Sequence, residues 1–220
     1  MDQAFFHDKQ VVVMGLGRFG GGLDSALFAA KAGAHVIVTD LAAYTELTDA
    51  IEQLSGYDIE YRLGEHCDQD FQQADVLVVN PAIPDNNRFI QIARKTKALI
   101  TSQMELFFQM CPARIVGITG ANGKSTTTAL TAHLLAAGSR GQSGYCNVWL
   151  GGNIGHQPLL DIVDQIEKDD IVVLEISNFQ LDQLAQIKAA PSISLITNVT
   201  ANHLDRHGTF ENYCRTKETI

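Results

Sequence analysis

The chain is poor in cysteine, in basic residues and in long apolar runs. Its four cysteines, Cys67, Cys111, Cys146 and Cys214, are scattered with no C-x-x-C pair among them. That spacing argues against a disulfide framework and for reduced thiols. No apolar stretch approaches the roughly 20 residues a membrane helix needs, and no secretory signal is recognisable, so a cytoplasmic protein with no membrane partner is expected. Lys and Arg number 16 against 25 Asp and Glu, a net charge of −9. This argues against nucleic acid as a main partner, because a phosphate backbone needs a local excess of cations. A small phosphate ligand held by backbone amides and one lysine stays compatible with it. Repeats and low-complexity segments are absent. What remains is a globular composition, 45% apolar and 19% charged, over 220 residues, enough for two domains with separate cores.

Short β-branched runs alternate with helical patterns along the whole chain, which predicts βαβ crossovers and parallel sheets. The first series places strands at 10–15, 34–40, 57–64, 74–84 and 97–101, with helices over 22–32, 45–55 and 86–95. Residues 102–113 read as a linker helix stopped by Pro112. A second series follows, with strands at 114–120, near 143–148, at 170–177 and at 191–199. Its helices come after Lys124, near 158–167, near 179–187 and over 209–220. The expected organisation is a Rossmann-like parallel-sheet domain over 1–101 and a P-loop α/β central domain over 114–220, apparently incomplete at its C-terminal side.

Each series opens on a glycine loop. In the first, "VVVMGLGRFGGGL" carries Gly15, Leu16, Gly17, Arg18 and Phe19 into Gly20, and "HVIVTD" ends about twenty residues later in Asp40. By pattern alone this is a dinucleotide fingerprint, with the acidic residue aimed at a ribose. The second loop is the stronger chemical signal. "GITGANGKSTTT" runs a strand into Gly120, Asn122, Gly123, Lys124, Ser125 and Thr126 and then into a helix. Glycines let the backbone curl so that amides converge on an anion, the helix N-terminus adds partial positive charge, Lys124 reaches terminal phosphates and the Ser125 hydroxyl can ligate Mg²⁺. The motif is the short G-x-x-G-K-S, since Ile118 stands where the longer pattern has glycine. Glu175 ends the strand in "LEISNFQLD", where a carboxylate serves either as a metal ligand or as a cap. "TNVTANHLDRHG" clusters Asn198, His203, Asp205 and His207, and Lys217 sits in the last helical pattern.

Together these stretches resemble the Mur ligases, ATP-dependent amide-forming enzymes of peptidoglycan precursor synthesis. The resemblance runs through Gly120–Thr126, through the E-x-S-x-F-Q-L of residues 175–181, and through "GGNIG", "NPAIP", "ITSQMELF", "NVTANHLDRHG" and "FENYCRTKETI". The Phe-Gln-Leu portion points to the D-glutamate-adding member. The resemblance implies an ATP-dependent ligase that joins D-glutamate to UDP-N-acetylmuramoyl-L-alanine through an acyl phosphate. It assigns Gly120, Asn122, Gly123, Lys124, Ser125 and Thr126 to ATP, Ser125 and Glu175 to a first Mg²⁺, and His203 to a second. Lys217 would carry a carbamate and act as a metal ligand. Lys124, His203 and Lys217 would be the catalytic set. Asn153, Ser177, Gln180 and His203 would face the muramoyl–alanine part of the substrate. Residues 15–19, with Asn80 nearby, would hold UDP rather than a nicotinamide dinucleotide. Asp40 is then a uridine contact or a strand-end cap. The family's third domain, which takes D-glutamate, is not represented in these 220 residues, so the sequence reads as part of a longer ligase. The competing reading is a non-catalytic, truncated paralogue that binds a UDP-sugar or nucleotide.

Overall fold

A computed structural model describes residues 1–17, 20–139, 144–154, 158–201 and 208–220. The chain divides into two compact units, Met1–Met110 with Pro158–Ile162, and Cys111–Gln157 with Val163–Ile220.

The first unit follows the alternation read from the sequence. After a short 3-10 turn, its elements are β1 (Gln10–Met14), α1 (Gly21–Lys31), β2 (His35–Asp40), α2 (Tyr44–Gln53), β3 (Ile59–Leu63), α3 (Asp68–Gln73), β4 (Val76–Val79), α4 (Arg88–Lys95), β5 (Leu99–Thr101) and α5 (Gln103–Met110). The five strands are all parallel, in the order β3-β2-β1-β4-β5. Val11, Val12, Val13 and Met14 are at most 1% exposed, because a parallel sheet is covered on both faces and its central strand buries every side chain. On one face Val12, Met14, Leu77 and Val79 pack with Phe71, Ile90 and Ala93. Strand order reverses between β1 and β4, which opens a crevice at the carboxyl ends of the strands, where such sheets bind ligands. Helix α3 is absent from the sequence reading for a physical reason: in DQDFQQ only Phe71 is apolar, so no helical period exists to detect.

The second unit contains β6 (Arg114–Thr119), α6 (Lys124–Ser139), β7 (Val148–Gly152), β8 (Ile171–Glu175), α7 (Asn178–Gln186), β9 (Ile193–Ile196) and α8 (Phe210–Glu218). Its strands are also all parallel, ordered β7-β8-β6-β9. Every residue of β8 is buried, and Val116, Ile118, Ala132, Ile171 and Val173 form a core beneath α6. The edge strand β9 differs, with all four residues exposed, Ile193 at 59%.

Two expectations need correction. The strand expected near 143–148 lies at Val148–Gly152. The helix expected near 158–167 does not form, and only Val163–Gln165 makes a 3-10 turn. Its apolar period survives as burial of Leu159, Leu160, Ile162, Val163 and Ile166. The run is divided, however, with Pro158–Ile162 in the first unit and the remainder in the second. The Asp24 carboxylate of α1 accepts the N–H groups of Leu160 and Asp161 at 2.9 and 3.2 Å.

At the amino end of the second sheet, Asp170 is fully buried and organises the entry to β7. It accepts from Asn147 N at 2.9 Å, Asn147 Nδ2 at 3.1 Å, Trp149 Nε1 at 2.8 Å and Glu167 N at 3.0 Å. Burial alone would raise its pKa, but these donors outweigh it and hold the carboxyl below its ordinary value. The stabilisation is therefore fully present above the usual carboxylate range near pH 4 and is lost as pH falls through the depressed folded-state value. Replacement by alanine leaves several buried donors unpaired. Asp170→Ala is expected to cost about 3 kcal/mol in urea unfolding; a loss under ~1 kcal/mol would show that water replaces the carboxylate.

Candidate functional site

In the second unit the phosphate-type loop fills the turn between β6 and α6, and neighbouring elements bring side chains to it. Register pairs Ile118 with Glu175, so β8 ends its carboxylate beside the loop. Glu175, 1% exposed, accepts from Ser125 Oγ at 2.7 Å and from Asn153 Nδ2 at 3.0 Å. A buried carboxylate beside an exposed serine hydroxyl at a helix N-terminus is a hard oxygen donor set, the kind Mg²⁺ prefers. The Lys124 ammonium folds back onto the Ala121 carbonyl at 3.1 Å, within the loop it would leave to reach a phosphate. Thr126 is exposed in the first turn of α6.

Lys217 is the unusual cation of this unit. It lies on α8 at 1% exposure, donates to Thr119 Oγ1 at 3.2 Å and to Asn178 Oδ1, and stands 4.9 Å over the Tyr213 ring. A solvated surface lysine is thereby excluded. Burial, with the like charge of Lys124 adding to it, pulls the ammonium pKa down to about 8. Ser177 and Gln180 form a reciprocal capping box on α7: Ser177 Oγ accepts Gln180 N at 3.3 Å, and Gln180 Oε1 accepts Ser177 N at 2.9 Å. Their polar atoms thus orient the helix that carries Asn178 to Lys217.

The glycine turn of the first unit is braced by its own strand ends. Asp40 Oδ2 accepts Leu16 N at 2.9 Å and Gly17 N at 3.4 Å, and its Oδ1 accepts Ala42 N at 2.9 Å. Gly15 N is taken by the Thr39 carbonyl at 2.8 Å. In this structure the Asp40 carboxylate braces the glycine turn and the end of its own strand. Asn80 crosses the switch point toward the turn, and a Cβ on Gly17, at φ +69°, would stand 2.6 Å from Asn80 Nδ2. The positive φ favours glycine there, and a Cβ would in addition push the Asn80 amide aside.

Sequence reasoning overlooked His66. Its Nδ1 lies 2.6 Å from Thr39 Oγ1, and its ring sits edge-on to Phe71 and Phe89 near the carboxyl end of β2. Burial lowers its pKa, against the opposing charge of Asp40. The only sequence signal was a histidine in a loop after a weak strand. Arg18, Phe19 and His203 lie outside the described residues, as do Asp205 and His207. Among the described residues no cluster of three His, Cys, Asp or Glu is placed to hold a metal, and no helix is long and apolar enough to cross a membrane.

Two parallel α/β units, one with a braced glycine turn at a switch point and one with G-x-x-G-K-S beside a buried carboxylate and a buried lysine, define a two-domain protein of the nucleotide-loop class. Comparison with known proteins narrows this. Residues 9–102 match the Mur ligase MurD-like N-terminal domain, and residues 118–220 match the Mur ligase middle domain. The chain belongs to the Mur ligase family. It is 42% identical over 212 residues to UDP-N-acetylmuramoylalanine–D-glutamate ligase of Roseiflexus sp., covering 96% of this chain and 44% of that protein. It is 37% identical to the ligase of the same name from Geobacter metallireducens, again over 96% of this chain and 44% of the relative. The chain thus spans under half the length of these curated relatives. Among solved structures, UDP-N-acetylmuramate–alanine ligase from Thermotoga maritima shares the fold at TM-score 0.55 and 23% identity, over 96% of this chain and 46% of that one.

Proposed function

We propose that this chain supplies the UDP-substrate and ATP-binding domains of a ligase that adds D-glutamate to UDP-N-acetylmuramoyl-L-alanine. The identity to ligases of that name over 96% of the chain supports the choice of substrate. The observation that carries the chemistry is the Ser125–Glu175–Asn153 cluster at a G-x-x-G-K-S loop. In this reading a substrate carboxylate oxygen attacks the γ-phosphorus of ATP and ADP leaves. The amine of D-glutamate then attacks the acyl carbon, the C–O bond breaks, and the amide forms with release of phosphate and the ammonium proton. Two anions must meet in the first step, so their repulsion is the barrier the protein has to lower. Loop amides from Gly123 onward and the α6 N-terminus orient the phosphates, and Lys124 neutralises the charge that moves onto the leaving oxygen. Ser125 and Glu175 would hold Mg²⁺, which supplies electrostatic clamping of the phosphates when bound. Asn153 orients the Glu175 carboxylate. A buried lysine with a pKa near 8 keeps a neutral amine fraction that can add CO₂, giving a carbamate and a proton. His203 is assigned to the second Mg²⁺ and the muramoyl–alanine part by family likeness.

In the first unit, with Gly15–Gly17 amides already bonded within the protein, the diphosphate falls to the amides at the start of α1, and Asn80 flanks it. Four free thiols agree with a reducing cytoplasmic setting. The test is calorimetric titration of the chain with UDP-N-acetylmuramoyl-L-alanine, with NADH in parallel. Binding of the UDP compound alone is the expected result, and binding of NADH alone would overturn the substrate reading. Gly17→Ala is expected to weaken that UDP binding at least tenfold, measured in the same titration; unchanged affinity would remove the turn from the site.

A further inference from the structure

The phosphate-type loop does not hold its shape alone, because the segment after β9 grips Asn122 through both its N–H and its C=O, in two consecutive peptide units. Asn198 Oδ1 accepts Asn122 N at 3.0 Å, and Asn198 Nδ2 donates to Asn122 O at 2.8 Å. The Thr197 hydroxyl donates to the same carbonyl at 2.7 Å, and Ala121 N donates to Asn198 O at 3.0 Å. A single amide side chain thus satisfies both the donor and the acceptor of Asn122, as a neighbouring β-strand would, though Asn198 is itself exposed. Gly120 makes this approach possible. At φ +149° a Cβ would fall 1.9 Å from Thr197 Oγ1 and 3.2 Å from the Asn198 backbone. The close packing of two loops explains the first glycine of G-x-x-G-K-S independently of any phosphate.

We propose that Asn198 is a positioning residue for the phosphate loop: it fixes the two peptides that flank Asn122, Ala121–Asn122 and Asn122–Gly123, so that the following amides and Lys124 meet the nucleotide phosphates in one preformed arrangement. The inference rests on the reading of this loop as the ATP site. Pre-organisation matters here because a loop that must be ordered on binding spends part of its binding energy on that ordering. The paired bonds are specific to an amide. An alanine loses both. An aspartate keeps an acceptor for Asn122 N–H, but turns an oxygen lone pair onto the Asn122 carbonyl and adds negative charge beside the phosphates.

The experiment is titration of the 220-residue chain, in wild-type, Asn198→Ala and Asn198→Asp forms, with Mg·ATP by calorimetry, with thermal melting of each. The expected result is about a tenfold weaker affinity for Asn198→Ala and a further loss for Asn198→Asp, with melting temperatures close to wild type because the side chain is exposed. A purely structural role would move the melting temperature and leave the two variants alike in nucleotide affinity, and that outcome overturns the proposal. Variants within twofold of wild type for Mg·ATP overturn it as well, while leaving the ATP site intact. No Mg·ATP binding by wild type would instead sink the ATP-site reading, and the positioning role with it.

Discussion

Lys124→Ala is expected to abolish Mg·ATP binding to the chain and, in a protein of the relatives' full length carrying these residues, to lower turnover by about three orders of magnitude. The size follows from where the charge acts. The lysine sits at the N-terminus of α6, where amide dipoles and the ammonium converge, and the proposed reaction would bring two anions into contact there. Removing the one flexible cation of G-x-x-G-K-S leaves the developing charge on the leaving phosphate oxygen to amides alone. The fold should survive, since among the described residues the ammonium bonds to the Ala121 carbonyl of its own loop. A melting temperature within a few degrees of wild type, together with lost binding, is the expected pair of results. Undiminished turnover would refute the phosphate-loop assignment.

Lys217→Ala is expected to have a comparable effect on turnover by a different route. A buried ammonium beside Thr119 and Asn178 carries a desolvation cost that a lysine kept for solubility would never incur. With a pKa of about 8, roughly a tenth of the side chain is neutral at pH 7, and the neutral amine is the form that adds CO₂. The linkage sign follows from the lowered value: between that pKa and the ordinary lysine value near 10.5 the unfolded chain binds more protons, so this residue's penalty on stability is largest below pH 8 and fades as pH rises. Turnover of Lys217→Ala should drop about 10²- to 10³-fold and stay low with added bicarbonate. The companion observation is a carbamate carbon resonance in wild-type chain supplied with ¹³C-bicarbonate, absent in the variant. Wild-type activity in Lys217→Ala would remove the carbamate role.

The sheets were legible because their strands are nearly continuous Val, Ile and Leu runs, and burial on both faces leaves no other reading for "VVVM" or "IVVLE". Elements that draw little on apolar periodicity were harder to read. Helix α3 has one apolar residue, and residues 158–167 show a helical period that tertiary bonding to Asp24 redirects. In the phosphate loop, residue types carried the signal, since Gly, Lys and Ser at that spacing after a strand leave few alternatives. The sequence could not show that Glu175 meets both Ser125 and Asn153, because those partners lie 50 and 22 residues away. Nor could it show that Lys217 is buried, since the helix FENYCRTKE has a mostly polar surface and only packing turns that lysine inward. Asn198 belonged to a cluster that stands out for its His and Asp neighbours, but its pair of hydrogen bonds to Asn122 spans 76 residues. Asp40 illustrates the limit most plainly. Its position fits a ribose contact, and only the geometry shows its carboxylate hydrogen-bonded to the glycine turn.

The most direct test of the central claim follows an oxygen atom. UDP-N-acetylmuramoyl-L-alanine labelled with ¹⁸O in its carboxylate is turned over with ATP and D-glutamate by a protein of the relatives' full length carrying these residues. The account predicts one ¹⁸O in the released phosphate for each amide formed, because the carboxylate oxygen that attacks phosphorus leaves with it. Amide formed with unlabelled phosphate would contradict an acyl phosphate and the mechanism built on it.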